Sequence, residues 1–278
     1  MNQTPTIVLL TDFGLSDTYV GTMKGVILSI CPAARLIDLT HAVEPQHIRQ
    51  AAYLLLTAYR YFPPHAVFLV VVDPGVGTAR QPIAIETDHG VYVAPDNGVL
   101  SYVLSQVQPC QQVILQNPAY RLPSASQTFH GRDIFSPAAA HLANGVLITD
   151  LGPAIPQIAM LPEPLLEIGA LGVRGEVLHI DHYGNVITSI GRLMWTSADF
   201  LHFQPQFGRD HGVYPPIFAT RCRVTVGGQT ISGIHRTYGD VPPGTLVALI
   251  GSAGQLEIGF NQGSAAEYLN VSVGDPVT

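Results

Sequence analysis

The sequence predicts an α/β N-terminal domain with a largely parallel sheet, followed by an all-β, barrel-like C-terminal domain. Two observations carry this. In the first half, short apolar runs rich in β-branched residues alternate with stretches of helical period, the pattern of parallel strands joined through crossover helices. After a proline-rich stretch at 152–164, short strand patterns follow one another with glycine turns between them.

Taken in order, Thr6–Leu10 (TIVLL) reads as a buried strand ending at Thr11-Asp12-Phe13-Gly14. Tyr19–Ile30 reads as a helix closed by Cys31-Pro32, because the residue before a proline is pushed out of helical conformation. Leu36–Leu39 is a second short strand, His47–Tyr61 a helix stopped by Pro63-Pro64, and Val67–Val72 a third strand running into Asp73-Pro74-Gly75. Strands are expected at Ile83–Thr87 and Gly90–Ala94, and helices at Gly98–Ser105 and Ser136–Asn144. Gly152–Pro164 carries four prolines and no period, so it reads as a linker between domains at 1–160 and 168–278. Beyond it, strands are expected at Gly172–Asp181, Asn185–Ile190, Arg221–Val226, Gln229–Gly233, Leu246–Gly251, Leu256–Phe260 and Tyr268–Val271, with Gly227-Gly228 as a hairpin turn.

Composition narrows the function. Of 278 residues 47% are hydrophobic and only 12% charged; 12 arginines and a single lysine, Lys24, face 20 acids for a net charge of −7. That balance opposes a phosphate-tracking nucleic-acid binder. Cys31, Cys110 and Cys222 are far apart and odd in number, which suits a reducing compartment and supports neither a disulfide framework nor a zinc-thiolate site. The start, MNQTPTIVLLTDFG, has no basic leader, and nowhere do ~18 uncharged apolar residues run together, so a soluble, cytoplasmic protein without a membrane partner is expected. A surface this poor in charge tends to associate, which points to an oligomer.

Ligands of open α/β sheets bind beyond the carboxyl ends of the strands, and three polar clusters stand there. Asp12 and Asp17 follow the first strand; either is able to cap the next helix, but two carboxylates exceed what one cap needs. Asp73-Pro74-Gly75-Val76-Gly77-Thr78-Ala79-Arg80 follows the third, and its glycine loop lets Arg80 fold back toward Asp73, as a turn-stabilising pair or as part of a site. It lacks the Lys-Ser/Thr of a P-loop and the spacing of a dinucleotide fingerprint. Thr128-Phe129-His130-Gly131-Arg132-Asp133 precedes a helix; Asp133 reads as a cap or a site acid, while His130, Asp133 and His141 lack the spacing of a metal motif. Asp96-Asn97-Gly98 adds a turn at another strand end, and His179 to Asn185 gathers polar groups around a strand break in the second domain.

These segments, TDFGLSDTYVGTMKGVI, DPGVGTAR, APDNGVL, TFHGRDIFSPAAAHLA, IDHYGNVITSI, RTYGD and GSAGQLEIGFNQGSAAEYL, resemble in order those of the S-adenosylmethionine hydrolases (adenosine-forming) and the related fluorinases and chlorinases. The resemblance spans nearly the whole chain. It implies an α/β domain followed by a β-barrel-like domain, a homotrimer with ligand sites between subunits, and hydrolysis of S-adenosyl-L-methionine to adenosine and L-methionine without cofactor or metal. Carried over residue by residue, it implies that Asp73, Arg80 and His130 activate water and that Asp12 holds the ribose hydroxyls. Asp17 and Asp181 fall near the methionine amino group, Asn185 and the backbone from Gly263 to Ala266 at the adenine, Tyr238 stacked on it, and Ser252 near the methionine carboxylate. Halogenases of the family have Tyr-Ser in place of His130-Gly131, lack an acid at Asp73 and have Arg in place of Ala253. The alternatives are a halide-dependent halogenase and a non-catalytic sensor of S-adenosylmethionine or adenosine.

Overall fold

In the computed structural model, which describes residues 4–170, 172–208 and 212–278, the apolar runs of the first half form the centre of a six-stranded sheet. Strands β1 (Thr6–Thr11), β2 (Arg35–Thr40), β3 (Val67–Val71), β4 (Pro82–Thr87), β5 (Gly90–Pro95) and β6 (Pro109–Ile114) lie in the order β2-β1-β3-β5-β4-β6. β1 and β3 are buried along their whole length, which is why they read as unbroken apolar runs. The pairs from β2 through β1 and β3 to β5 are parallel, whereas β4 lies antiparallel to both β5 and β6. The reversal follows from chain length: Asp88 and His89 alone separate the paired residues Thr87 and Gly90, far too few for a parallel crossover. β6 (PCQQVI) escapes a sequence reading because its first half is polar and exposed at the sheet edge.

Helices α1 (Tyr19–Ile30), α2 (Ile48–Ala58), α3 (Ser101–Leu104) and α4 (Ser136–Ala143) cover the sheet. α1 buries Val20, Met23 and Ile27, one stripe of helical period, and α4 packs on α1, β1 and β3. The helix expected over Gly98–Ser105 is a single turn, because Gly98 takes a left-handed φ of 91° and starts it late. α4 is entered through a π-helical turn, Gly131–Phe135, with no counterpart in the sequence pattern.

The chain divides into two compact units, Met1–Leu161 and Pro162–Thr278. Most of the stretch read as a linker is bound within the first unit. Ala154 bridges Val113, the Ala159 N–H donates to Asp96 Oδ1 at 2.7 Å, and the Leu161 N–H donates to Ser101 Oγ at 2.7 Å.

The second unit contains β7 (Leu166–Gly169), β8 (Gly172–Ile180), β9 (Val186–Gly191), β10 (Leu193–Trp195), β11 (Phe200–Phe203), β12 (Ile217–Phe218), β13 (Arg223–Val226), β14 (Gln229–Ser232), β15 (Leu246–Ile250), β16 (Gln255–Phe260), α5 (Ala265–Leu269) and β17 (Pro276–Val277). An antiparallel eight-stranded sheet runs β14-β13-β17-β8-β9-β16-β15 with β7 on β8, and contacts between β14 and β15 nearly close it into a barrel. Its interior is filled by residues such as Val177, Val186, Val224, Ala248, Ile258 and Val277. β10, β11 and β12 form a separate small sheet. The strand expected at Tyr268–Val271 is overturned: α5 occupies Ala265–Leu269. Ser264 accepts the Glu267 N–H at 3.2 Å and Asn270 closes the helix at φ 50°, so the capping chemistry of Ser-x-x-Glu and a left-handed Asn outweighs the short apolar alternation. Among the described residues no helix is long and apolar enough to cross a membrane. Removing this cap with Ser264→Ala is expected to cost about 1 kcal/mol, read as a lower denaturant midpoint at unchanged slope.

Candidate active site

Because β1, β3 and β5 are parallel, their carboxyl ends fall together, with Thr11 opposite Val71. Asp12 follows β1, Asp73 follows β3, and Asn97, just beyond β5, donates through Nδ2 to the Val72 carbonyl at 2.9 Å.

The turn after β3 is shaped to return Arg80 to Asp73. Val76 N–H bonds the Asp73 carbonyl and Thr78 N–H the Gly75 carbonyl, at 3.2 and 3.1 Å. Gly77 sits at φ 77°, and a Cβ there would lie 2.7 Å from the Gln127 carbonyl oxygen, so only glycine fits. Arg80 Nε then donates to Asp73 Oδ1 at 2.8 Å, while Nη2 bonds Asp73 Oδ2 in a short contact and also lies 2.7 Å from His130 Nδ1. The Arg80 and Asp73 side chains are only 8% and 6% exposed. The Phe135 ring lies under the guanidinium, 5.2 Å from its carbon. An arginine stays protonated and only donates, so its bond to Nδ1 fixes His130 as a neutral imidazole with its proton on Nε2. Burial, reinforced by the Arg80 charge, pushes the His130 pKa below the usual histidine value in the same sense.

His130 stands at the mouth of the π-turn, a device common at functional sites. Asp133, fully buried one turn on, is no helix cap. It accepts from Ser126 N–H at 2.7 Å and from Arg132 Nε at 2.6 Å, clamping the loop that carries His130. Burial raises the Asp133 carboxyl, but these bonds outweigh it and hold it below the ordinary range. Gly131 is boxed in: a Cβ would meet Phe129 at 3.2 Å and both Met23 and Phe13 at 3.3 Å. Phe13 and Phe129 form a ring cluster with Tyr19, centroids 5.1–5.9 Å apart.

Asp12 is half-buried, and its Oδ2 accepts the Gln46 N–H at 2.8 Å. Asp17 is exposed ahead of α1, whose N-cap residue Thr18 makes no side-chain capping bond, so neither acid caps the helix. His141 packs edge-on to the Tyr120 ring, 4.9 Å between centroids. Among the described residues no three His, Cys, Asp or Glu side chains are grouped to hold a metal ion.

In the second unit, Asp181, Asn185, Tyr238, Ser252, Glu257 and Gly263 line one cleft of about 850 Å³. Asp181 shapes the turn between β8 and β9, accepting the N–H groups of Tyr183 and Asn185 and the Asn185 amide, each at 2.9 Å. Tyr238 lies across Gly259, where a Cβ would come within 2.5 Å of the ring, and its hydroxyl donates to Glu257 Oε1 in a short bond. Burial pushes the Glu257 carboxyl upward; the Tyr238 bond opposes this and the Asp181 charge adds to it. Tyr238 is likewise raised, by burial and then by Glu257. Ala266 is not part of the cleft lining, and its N–H bonds the Gly184 carbonyl at 2.9 Å. Glu257 was missed by sequence reasoning, though an acid inside the apolar run of β16 was the available signal.

Residues 7–152 match the family model described as the SAM hydroxide adenosyltransferase N-terminal domain, and residues 175–278 that of its C-terminal domain. The chain is 40% identical to the (R)-S-adenosyl-L-methionine hydrolase of Thermus thermophilus, over 98% of each protein. To the enzyme of that name from Salinispora tropica it is 39% identical, over 99% of this chain and 97% of the other. A crystal structure described as an uncharacterized conserved protein from Thermotoga maritima superposes with a TM-score of 0.83 at 37% identity, covering 98% of both chains. A fluorinase from Nocardia brasiliensis is more distant, at 25% identity over 97% of this chain and 95% of its own.

The raised Glu257 carboxyl has a stability consequence. A group whose folded pKa exceeds its unfolded value contributes stability below the unfolded value and loses it as pH rises through the folded one. Glu257→Gln keeps an acceptor for Tyr238 without the charge. Thermal melts from about pH 4 to about pH 8 should show wild type losing ground to this variant as pH rises; parallel curves would refute the assignment.

Proposed function

The chain belongs to the SAM hydroxide adenosyltransferase family, and we propose that it hydrolyses S-adenosyl-L-methionine to adenosine and L-methionine. The observation that carries this is the Arg80 guanidinium, bonded at once to Asp73 and His130 where the parallel strands end. Relatives at 32–40% identity are named for the (R) epimer, and we carry that epimer over as the substrate.

A water oxygen attacks ribose C5′, the C5′–S bond breaks, and its electron pair stays on sulfur. The sulfonium thereby becomes the neutral thioether of methionine, and the water's proton passes to the Asp73–His130 pair. Such a leaving group needs no acid, metal or cofactor. What the site supplies is alignment and help in making water hydroxide-like, since free water has a pKa of about 15.7. With Nε and Nη2 held by Asp73 and His130, Arg80 Nη1 is the donor left for that oxygen. With Nδ1 on Arg80 and the proton on Nε2, His130 takes the water's proton only by releasing Arg80, whereas the Asp73 carboxylate has lone pairs to spare.

Asp12 takes the ribose hydroxyls, as a carboxylate accepts two donors at once. Asn185 and the backbone at Gly263 take the adenine, without Ala266, whose N–H is held by Gly184; Tyr238 stacks on the adenine, Asp17 and Asp181 take the methionine ammonium, and Ser252 its carboxylate. A halide-dependent reaction is disfavoured, because Gly131 offers no hydroxyl and a side chain there would crowd three neighbours. We further place the protein in the cytoplasm as a homotrimer with its sites at subunit boundaries. The scarcity of charge, 12% of residues, favours covering part of the surface with a second copy.

With chelator present and in ¹⁸O-water, the purified protein should release equimolar adenosine and methionine from (R)-S-adenosyl-L-methionine, with the label in the 5′-hydroxyl; neither product at high enzyme concentration would refute hydrolysis. Arg80→Lys keeps the charge but loses the fork, and should lower kcat roughly 10²–10³-fold with ligand binding kept. A sensor would show no turnover to lose.

The lowered His130 pKa gives a second expectation. kcat/KM should stay flat through neutral pH and fall only below about 6.5, the ordinary histidine value, with this acid limb absent from His130→Asn.

A further inference from the structure

Lys24, the chain's only lysine, projects from α1 and places Nζ 2.6 Å from Asp38 Oδ2 on β2. Asp38 Oδ1 lies 3.0 Å from His41 Nε2, and His41 Nδ1 lies 2.8 Å from the hydroxyl of Thr11, the last residue of β1. The Nε2 contact is bent and closer to an ion–dipole contact than to a full hydrogen bond. His41 and Thr11 are buried, whereas Asp38 and Lys24 reach the surface.

The directions of these contacts agree with one another. Burial pushes the Asp38 carboxyl up, but the Lys24 bond and the His41 contact outweigh it and keep it an anion. The imidazole proton therefore faces Asp38 on Nε2, which leaves Nδ1 to accept the Thr11 hydroxyl. Thr11 Oγ1 in turn accepts the Phe13 N–H at 3.2 Å, a tight turn whose middle residue is Asp12. The His41 carbonyl accepts the Gly14 N–H at 2.8 Å, so one residue holds the Asp12 turn on both sides. Five residues on, Gln46 takes an uncommon left-handed φ of 67° and donates its N–H to the Asp12 carboxylate at 2.8 Å. A buried strut would need only one of these contacts. Together they fix the backbone before, within and after Asp12 and one of its oxygens.

We propose that His41, backed by Asp38 and Lys24, is a positioning residue that aims the Asp12 carboxylate at the ribose diol. The proposal rests on the reading of Asp12 given above. It differs from a general packing role in being specific to the diol, so two ligands separate them: adenosine, and 2′,3′-dideoxyadenosine, which lacks both hydroxyls.

Calorimetric binding of both ligands is measured for wild type, Asp12→Asn, His41→Leu, Lys24→Met and Lys24→Arg in the full-length protein. His41→Leu should weaken adenosine about tenfold and leave 2′,3′-dideoxyadenosine within about twofold. Lys24→Met, at the solvent end, should show the same selective loss at about threefold, restored by Lys24→Arg, and it decides the question if the His41 variant does not fold. If Asp12→Asn discriminates between the ligands and neither the His41 nor the Lys24 variant does, the positioning role is overturned and the Asp12 reading stands. If Asp12→Asn itself fails to discriminate, the ribose reading falls and this proposal with it.

Discussion

The architecture of the first unit turns on one buried cation. Arg80 lies almost wholly out of water, and a guanidinium stripped of its hydration is several kcal/mol unfavourable unless acceptors surround it. Asp73 reaches it from the end of β3, His130 from the mouth of the π-turn, and Phe135 offers its ring face. Each partner is then constrained in turn. The loop between Asp73 and Arg80 must double back within seven residues, which needs Gly77, and the loop before His130 must be tied down, which Asp133 does.

This explains how a chain with only 33 charged residues in 278 uses them. Several stand in pairs: the buried Asp73 with Arg80, the buried Asp133 with Arg132, and, nearer the surface, Asp38 with Lys24 and His41. Asp181 accepts three hydrogen bonds, and Glu257, in the same cleft, accepts the Tyr238 hydroxyl. The two carboxyls differ in what holds them. One is oriented by the backbone of its own turn; the other is enclosed by an apolar strand and fixes the ring of Tyr238.

What the sequence made legible were features set by local chemistry. β1 and β3 are buried on both faces, so their composition alone marks them, and polar clusters directly after such strands mark the binding edge. The return of Arg80 to Asp73 follows from two glycines in a seven-residue loop. Hidden features depend on partners distant in sequence. The polar edge strand β6 is held by its pairing with β4, and the antiparallel direction of β4 by a short turn whose consequence appears only once β5 is placed. His41 looks like any histidine after a strand until Thr11, thirty residues away, is found against it. Strand-like Tyr268–Val271 gives way to α5, because the Ser264 cap and the left-handed Asn270 outweigh an alternation too short to hold a strand.

The same pairing that makes Arg80 foldable also suits it to a cationic substrate. At an effective dielectric constant near 20, a lone guanidinium about 5 Å from a sulfonium would repel it by about 3 kcal/mol. Asp73 cancels that charge, and the Arg80 bond to Nδ1 keeps His130 neutral, so the trio presents a formal charge of zero to the proposed substrate. The oriented N–H groups remain. As the attacking oxygen gains negative charge and the sulfur loses its positive charge, the reaction needs local donors without a net cationic field. A site built from an arginine alone would favour the nucleophile and reject the electrophile; one built from an arginine already paired with a carboxylate keeps the donor geometry and removes that conflict. In the proposed reaction the acid at position 73 therefore acts first by its charge, ahead of any part in receiving the proton.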